Sequence, residues 1–117
     1  MRFMYLVKHP GPPGNPTPEM IEAMHKLADR EIKAGRMLDS GGLMPLAVGA
    51  QVRITDGQLS VVDGPFVEAK EVIGGYAIFE LRDKEEALVM AREFMQLHLE
   101  HMPGWEGTCE VRAFATP

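Results

Sequence analysis

The sequence predicts an α+β fold built on one sheet and two helices, and three observations carry that prediction. Apolar residues recur at the helical period between Pro18 and Ala34 and again between Lys84 and Glu100, the mark of two amphipathic helices. Short runs rich in Val, Ile, Tyr and Phe stand before, between and after them. Asp56-Gly57 sits between two alternating runs and is the strongest short-range hairpin signal.

The first strand is Phe3-Met4-Tyr5-Leu6-Val7. His9-Pro10-Gly11-Pro12-Pro13-Gly14-Asn15-Pro16 follows as a loop, because proline lacks a donor and glycine permits positive φ. Thr17 caps the first helix, with Pro18 at its first position and Glu19 at the positive end of the dipole; Gly35 stops it after about Ala34. Arg36 to Leu43 is a short strand that breaks at Gly41-Gly42, and Gln51–Thr55 and Gln58–Val62 are the arms of the hairpin. After the Asp63-Gly64-Pro65 turn, Gly75 to Leu81 reads as a central strand. Asp83 caps the second helix with Glu86 three residues on, and Thr108 to Phe114 is the last strand. This order is the split βαβ pattern of a ferredoxin-like sandwich with an added β-hairpin, one domain over residues 1–117. Two helices cover only one face of such a sheet. A second copy of the chain, pairing sheet to sheet as a dimeric α/β barrel, is the simplest cover for the other, so a homodimer is expected.

Composition removes several classes of function. At 45% apolar and 25% charged, a chain of 117 residues can bury a core and is not expected to be disordered. The net charge is −5 and the twelve Lys and Arg are scattered, whereas nucleic-acid phosphates need clustered cations. No apolar stretch nears the roughly 18 residues that span a bilayer. The opening run is too short for a signal segment and has no small-residue cleavage site after it. The lone Cys109 cannot form an intramolecular disulfide. A cytoplasmic protein without nucleic-acid or membrane partners is expected. Gly74-Gly75 precedes a strand rather than a helix, so it is no phosphate loop; His98-x-x-His101 lacks a supporting carboxylate pair or cysteine; Ser40 and Ser60 lack a nucleophile elbow. No cofactor and no metal are expected.

The chemical clues come from helical phase. At 100° per residue, Met20, Ile21, Met24, Leu27, Ala28 and Ile32 fall in one arc of the first helix, and Glu31 falls inside it. A buried carboxylate must be paired, protonated or functional, since leaving it unpaired costs several kcal/mol. In the second helix, Ala87, Leu88, Ala91, Phe94, Met95, Leu99 and Met102 form the apolar face, and His98 lies within it. It is either a satisfied core histidine or a base. His25 and His101 sit at the edges of their faces. In the last strand, Thr108, Glu110, Arg112 and Phe114 share a side opposite Cys109, Val111 and Ala113, where Glu110 and Arg112 either pair or form a solvated face.

The segment Val62-Asp63-Gly64-Pro65-Phe66-Val67-Glu68-Ala69-Lys70-Glu71-Val72-Ile73-Gly74-Gly75-Tyr76 resembles the signature of the YCII-related proteins, in their DGPF-motif branch. Arg2-Phe3-Met4-Tyr5-Leu6, Glu31-Ile32-x-x-Gly35, Leu97-His98 and Pro103-Gly104-Trp105-Glu106-Gly107 extend the similarity over nearly the whole chain. The resemblance implies a ferredoxin-like domain that dimerises sheet to sheet around a cleft, with some members linked or fused to sigma factors. A few distant relatives act on small aromatic or lactone compounds. The residues matching the family here are Glu31, Asp63, Glu68, Lys70, Tyr76, His98, Glu110 and Arg112. The wider group's His–Asp pair does not carry over, because His25 falls one residue out of phase and Asp39 lacks a clear motif around it. The DGPF turn also has a plain architectural reading, with Asp63 capping, Gly64 turning, Pro65 fixing φ and Phe66 plugging the core.

Two functions follow as expectations. In the first, a small-molecule enzyme works by acid–base catalysis: His98 transfers the proton, Glu31 orients it, and Lys70, Arg112, Asp63 and Tyr76 bind the substrate. In the second, the same groups bind a small molecule without turnover, in a regulatory module associated with a sigma factor.

Overall fold

The computed structural model describes residues 1–10, 15–64 and 71–116. Within them the chain runs β1 (Arg2–His9), α1 (Pro18–Lys33), β2 (Met37–Gly42), a 3-10 turn (Leu46–Val48), β3 (Ala50–Thr55), β4 (Gln58–Asp63), β5 (Val72–Glu80), α2 (Lys84–His101) and β6 (Thr108–Ala113). The four-stranded sheet has the order β2-β5-β1-β6 with antiparallel neighbours throughout. Each strand–helix–strand crossover skips one strand, which is the ferredoxin-like arrangement that the element order predicts. Thr17 caps α1 by accepting from Met20 N, and Asp83 caps α2 by accepting from Glu86 N.

The core lies between the helices and one face of the sheet. Phe3 and Tyr5 of β1 meet Phe79 of β5, Leu27 of α1, and Ala87, Met90 and Ala91 of α2. Tyr5 and Phe79 make an edge-to-face pair with centroids 5.0 Å apart. Alternation sends Met4, Leu6, Tyr76, Ile78, Glu110 and Arg112 to the opposite face, which the helices leave uncovered.

The buried arcs differ from those read by phase alone. The α2 stripe is Ala87, Met90, Ala91 and His98, whereas Leu88 and Leu99 are exposed, Leu99 by 74%. The helix is rolled so that Met90 points inward, and Leu97 rather than Leu99 packs on the core near its end. In α1, Met20, Leu27 and Glu31 are buried and Ile32 is exposed. β1 continues to His9, which the sequence places in the loop. A bulge at Gly74 lets β5 begin at Val72 and gives Lys8 and His9 cross-strand partners.

The β3–β4 hairpin is a separate two-stranded ribbon. It turns at Asp56 (φ 52°) and Gly57 (φ 74°), as a two-residue turn with both centres left-handed requires. Cross-strand pairs Val52–Val61 and Ile54–Leu59 share one side of it, and all four residues are 69–75% exposed. The radius of gyration is 16.1 Å, against about 13 Å for a compact domain near this length. The ribbon projects.

Candidate functional site

The helices run antiparallel and are tied at two points. At one end the Thr17 hydroxyl donates to the His101 carbonyl (2.7 Å). Near the last turn of α1, Arg30 Nη1 meets Glu93 Oε2 at the middle of α2 (2.7 Å). Beneath the first tie, between the helix pair and the sheet, lies a cavity of about 520 Å³. Glycine makes room for it on the sheet side: Gly41, Gly42, Gly74 and Gly75 all border it. A side chain would be crowded at three of them, since a Cβ at Gly75 would lie 3.1 Å from the Gly41 carbonyl oxygen, one at Gly74 3.0 Å from His9 Nε2 and one at Gly41 3.0 Å from the Tyr76 ring. The Gly74-Gly75 pair is thus a device of sheet packing, consistent with its rejection as a phosphate loop.

His98 borders this cavity and is 7% exposed. Its Nδ1 lies 3.2 Å from the Phe94 carbonyl oxygen, which only accepts, so Nδ1 carries the hydrogen and Nε2 of the neutral ring is the acceptor. Burial holds the His98 pKa below its ordinary value of 6.5, with the Phe94 carbonyl opposing the shift. The ring is held between Phe94 (centroids 4.8 Å apart, edge-to-face) and Trp105 (4.3 Å, tilted). Trp105 in turn occupies space that Gly107 leaves open, because a Cβ there would lie 2.3 Å from the Trp105 ring. His98 is therefore fixed in position and tautomer, and at neutral pH it can accept a proton.

Glu31 does not join it. Its carboxylate is 1% exposed and takes a two-pronged contact from Arg36, Nε to Oε1 at 2.8 Å and Nη2 to Oε2 at 2.7 Å. Arg30 Nε adds a third bond at 2.9 Å and links onward to Glu93. Hydrogen bonding from Arg36 first, and from Arg30 next, holds the Glu31 carboxyl below the ordinary range against its burial. The group borders a different cleft, at the opposite end of the helix pair, with Arg36, Arg82 and Glu86. The expectation that Glu31 orients His98 is corrected accordingly: the two residues border different spaces, and each has its own partners.

The expected substrate-binding residues also separate. Tyr76 borders the cavity from β5, but its side chain stands on the uncovered sheet face; its ring lies across Gly41 and its hydroxyl donates to Asp39 Oδ2 (3.0 Å), which raises the phenol pKa. Arg112 stands on the uncovered sheet face, paired with Glu110, which also takes Lys8 Nζ at 2.5 Å. Lys8, followed by Arg112, holds the Glu110 carboxyl down. Arg112 is thus committed to an ion cluster on the side of the sheet away from His98. Asp63 ends β4 opposite Ala50 and is exposed. The adjacent Gly64 has no room for a side chain, since a Cβ would fall 1.8 Å from the Leu46 carbonyl oxygen. Pro65, Phe66, Glu68 and Lys70 lie outside the described residues.

Two polar groups at the cavity escape sequence reasoning: His25 of α1 and Ser40 of β2, both at its exposed rim. His25 is at the edge of its helical face in the sequence, and Ser40 follows an acid in an irregular strand, so neither carries a distinguishing signal. Tyr5 also borders the cavity, but its hydroxyl donates to the Ala87 carbonyl (2.7 Å) and burial first of all raises its pKa, so it stays protonated. Among the described residues no three His, Cys, Asp or Glu side chains are grouped to hold a metal, and no helix is long and apolar enough to cross a membrane.

A ferredoxin-like sheet with a buried histidine on the second of its helices defines the structural class. The sequence relationship is narrower: a family model of the YCII-related domain matches residues 1–95, and the chain belongs to that family. It is also similar to an uncharacterised protein of Rhizobium meliloti (strain 1021), with 32% identity over 84 residues. That match covers 72% of this chain and 64% of the relative, so the chain spans less than two thirds of the relative's length.

Proposed function

We propose that the chain is a small-molecule enzyme of acid–base type, with the cavity between the helix pair and the sheet as its site and His98 as its base. The observation that carries the reading is the state of His98: buried, neutral, locked by the Phe94 carbonyl and bordering a space large enough for a small ligand. Glu31 belongs to the scaffold in this reading, and Arg112 does not reach the substrate. Small aromatic and lactone compounds are the starting set. The test is a turnover screen of lactones, dienelactones and chlorinated hydroquinones with the wild type and His98→Gln. Turnover that depends on His98 supports the proposal. Compounds that raise the melting temperature without being consumed favour the other reading, a binding module in regulation beside a sigma factor.

We further propose membership of the DGPF branch, a cytoplasmic location and a homodimer. Support for the dimer comes from two apolar surfaces without cover in one chain: Met4, Leu6 and Ile78 at the centre of the open sheet face, and Val52, Ile54, Leu59 and Val61 on the ribbon. A second copy related by a two-fold axis buries both kinds of surface twice.

A further inference from the structure

The walls of the cavity restrict what can enter it. Among the described residues, no Asp, Glu, Lys or Arg borders it. Its inner surface is made by the rings of Tyr5, Phe79 and Phe94 and the thioethers of Met24, Met37 and Met90, surfaces that favour a flat apolar body. A charged ligand would lose its hydration there without a counter-charge, at a cost of several kcal/mol. Two buried polar side chains border it: the Tyr5 hydroxyl is given to the Ala87 carbonyl, and the Nδ1–H of His98 is given to the Phe94 carbonyl, so that His98 Nε2 offers a lone pair and no hydrogen. A ligand carbonyl or ether would find no donor on that ring. A ligand hydroxyl would find an acceptor.

We propose that the cavity takes an uncharged aromatic alcohol, a phenol in its simplest form, whose hydroxyl donates to His98 Nε2. This inference rests on the reading that the cavity is the functional site, and it adds the charge and hydrogen-bonding sense of the ligand. Volume agrees with it: about 520 Å³ lies within the range of small-ligand pockets and exceeds what one substituted ring needs. Selectivity follows from the same geometry. An ether of the same shape leaves the buried Nε2 unpaired, and a carboxylate brings a charge facing a lone pair.

Three probes of one shape separate these contributions: 4-ethylphenol, 4-ethylanisole and 4-ethylbenzoate. Calorimetric titration of the whole chain at pH 7 is expected to show the phenol binding at least tenfold more tightly than the anisole, with the benzoate weakest. Histidine labelled with ¹⁵N supplies a second readout, taken on the wild type: the Nε2 resonance of His98, assigned by its loss in folded His98→Asn, is expected to move upfield with the phenol only. Anisole binding as tight as phenol, or an unmoved Nε2 resonance, overturns the donor assignment while leaving the cavity as the site. Benzoate binding tightest overturns the exclusion of charge. Failure of all three to bind removes the cavity reading as well.

Discussion

Gly107→Ala tests how His98 is held. The new Cβ would sit 2.3 and 2.6 Å from Cη2 and Cζ2 of Trp105 and 2.5 Å from the Lys8 carbonyl oxygen. Carbon contacts are comfortable at about 3.5–4.0 Å, so the overlap exceeds about 1 Å on both sides. Lys8 is paired to both β5 and β6 and cannot yield, whereas the Trp105 side chain can rotate. Gly107 is not at positive φ, so the effect is steric, free of backbone strain. The Trp105–His98 contact, with centroids 4.3 Å apart, is then lost. Ring contacts of this kind contribute about 0.5–1.5 kcal/mol beyond area burial, and overpacking generally costs about 1–3 kcal/mol. We expect the variant to lose about 1–3 kcal/mol in urea denaturation. Trp105 is the single tryptophan, so its emission reads the same event directly, with a red shift in the folded variant. A loss under about 0.5 kcal/mol together with unchanged emission would refute the packing argument.

Three further expectations follow from the electrostatics and the surface. The Glu31 carboxyl is held below its ordinary 4.5, so its contribution to stability is full above that pH and disappears as pH falls through the folded value; the gap in urea midpoint between wild type and Glu31→Gln should therefore shrink from pH 7 to pH 3, and a constant gap would disprove the ion pairing. Burial pushes the Cys109 thiol up to about 11, so a disulfide reagent at pH 8 should modify it slowly in the native protein and rapidly in urea; equal rates would place it at the surface. Val61→Lys puts a charge on the apolar side of the ribbon and should shift sedimentation from dimer to monomer without changing the helical circular dichroism; an unaltered dimer would exclude the ribbon from the interface.

Local chemistry determined much of this protein from the sequence. The caps at Thr17 and Asp83, the Asp56-Gly57 turn and the alternation in β6 each depend on residues within a few positions of one another, and each is in the structure as expected. Helical phase likewise singled out Glu31 and His98 as buried polar groups, because burial on an amphipathic helix depends on angle around its own axis. Tertiary structure alone decided what those two groups do. Phase carries no information about position along the helix pair, and the antiparallel packing sends Glu31 to Arg36 and Arg30 at one end and His98 to Phe94, Trp105 and the cavity at the other. The same holds for Arg112, whose strand face was legible but whose side of the sheet was set by where the helices cross. The cavity itself depends on Gly42 and Gly75 meeting across β2 and β5, strands separated in sequence by the whole ribbon, and no local pattern records a space left between distant residues.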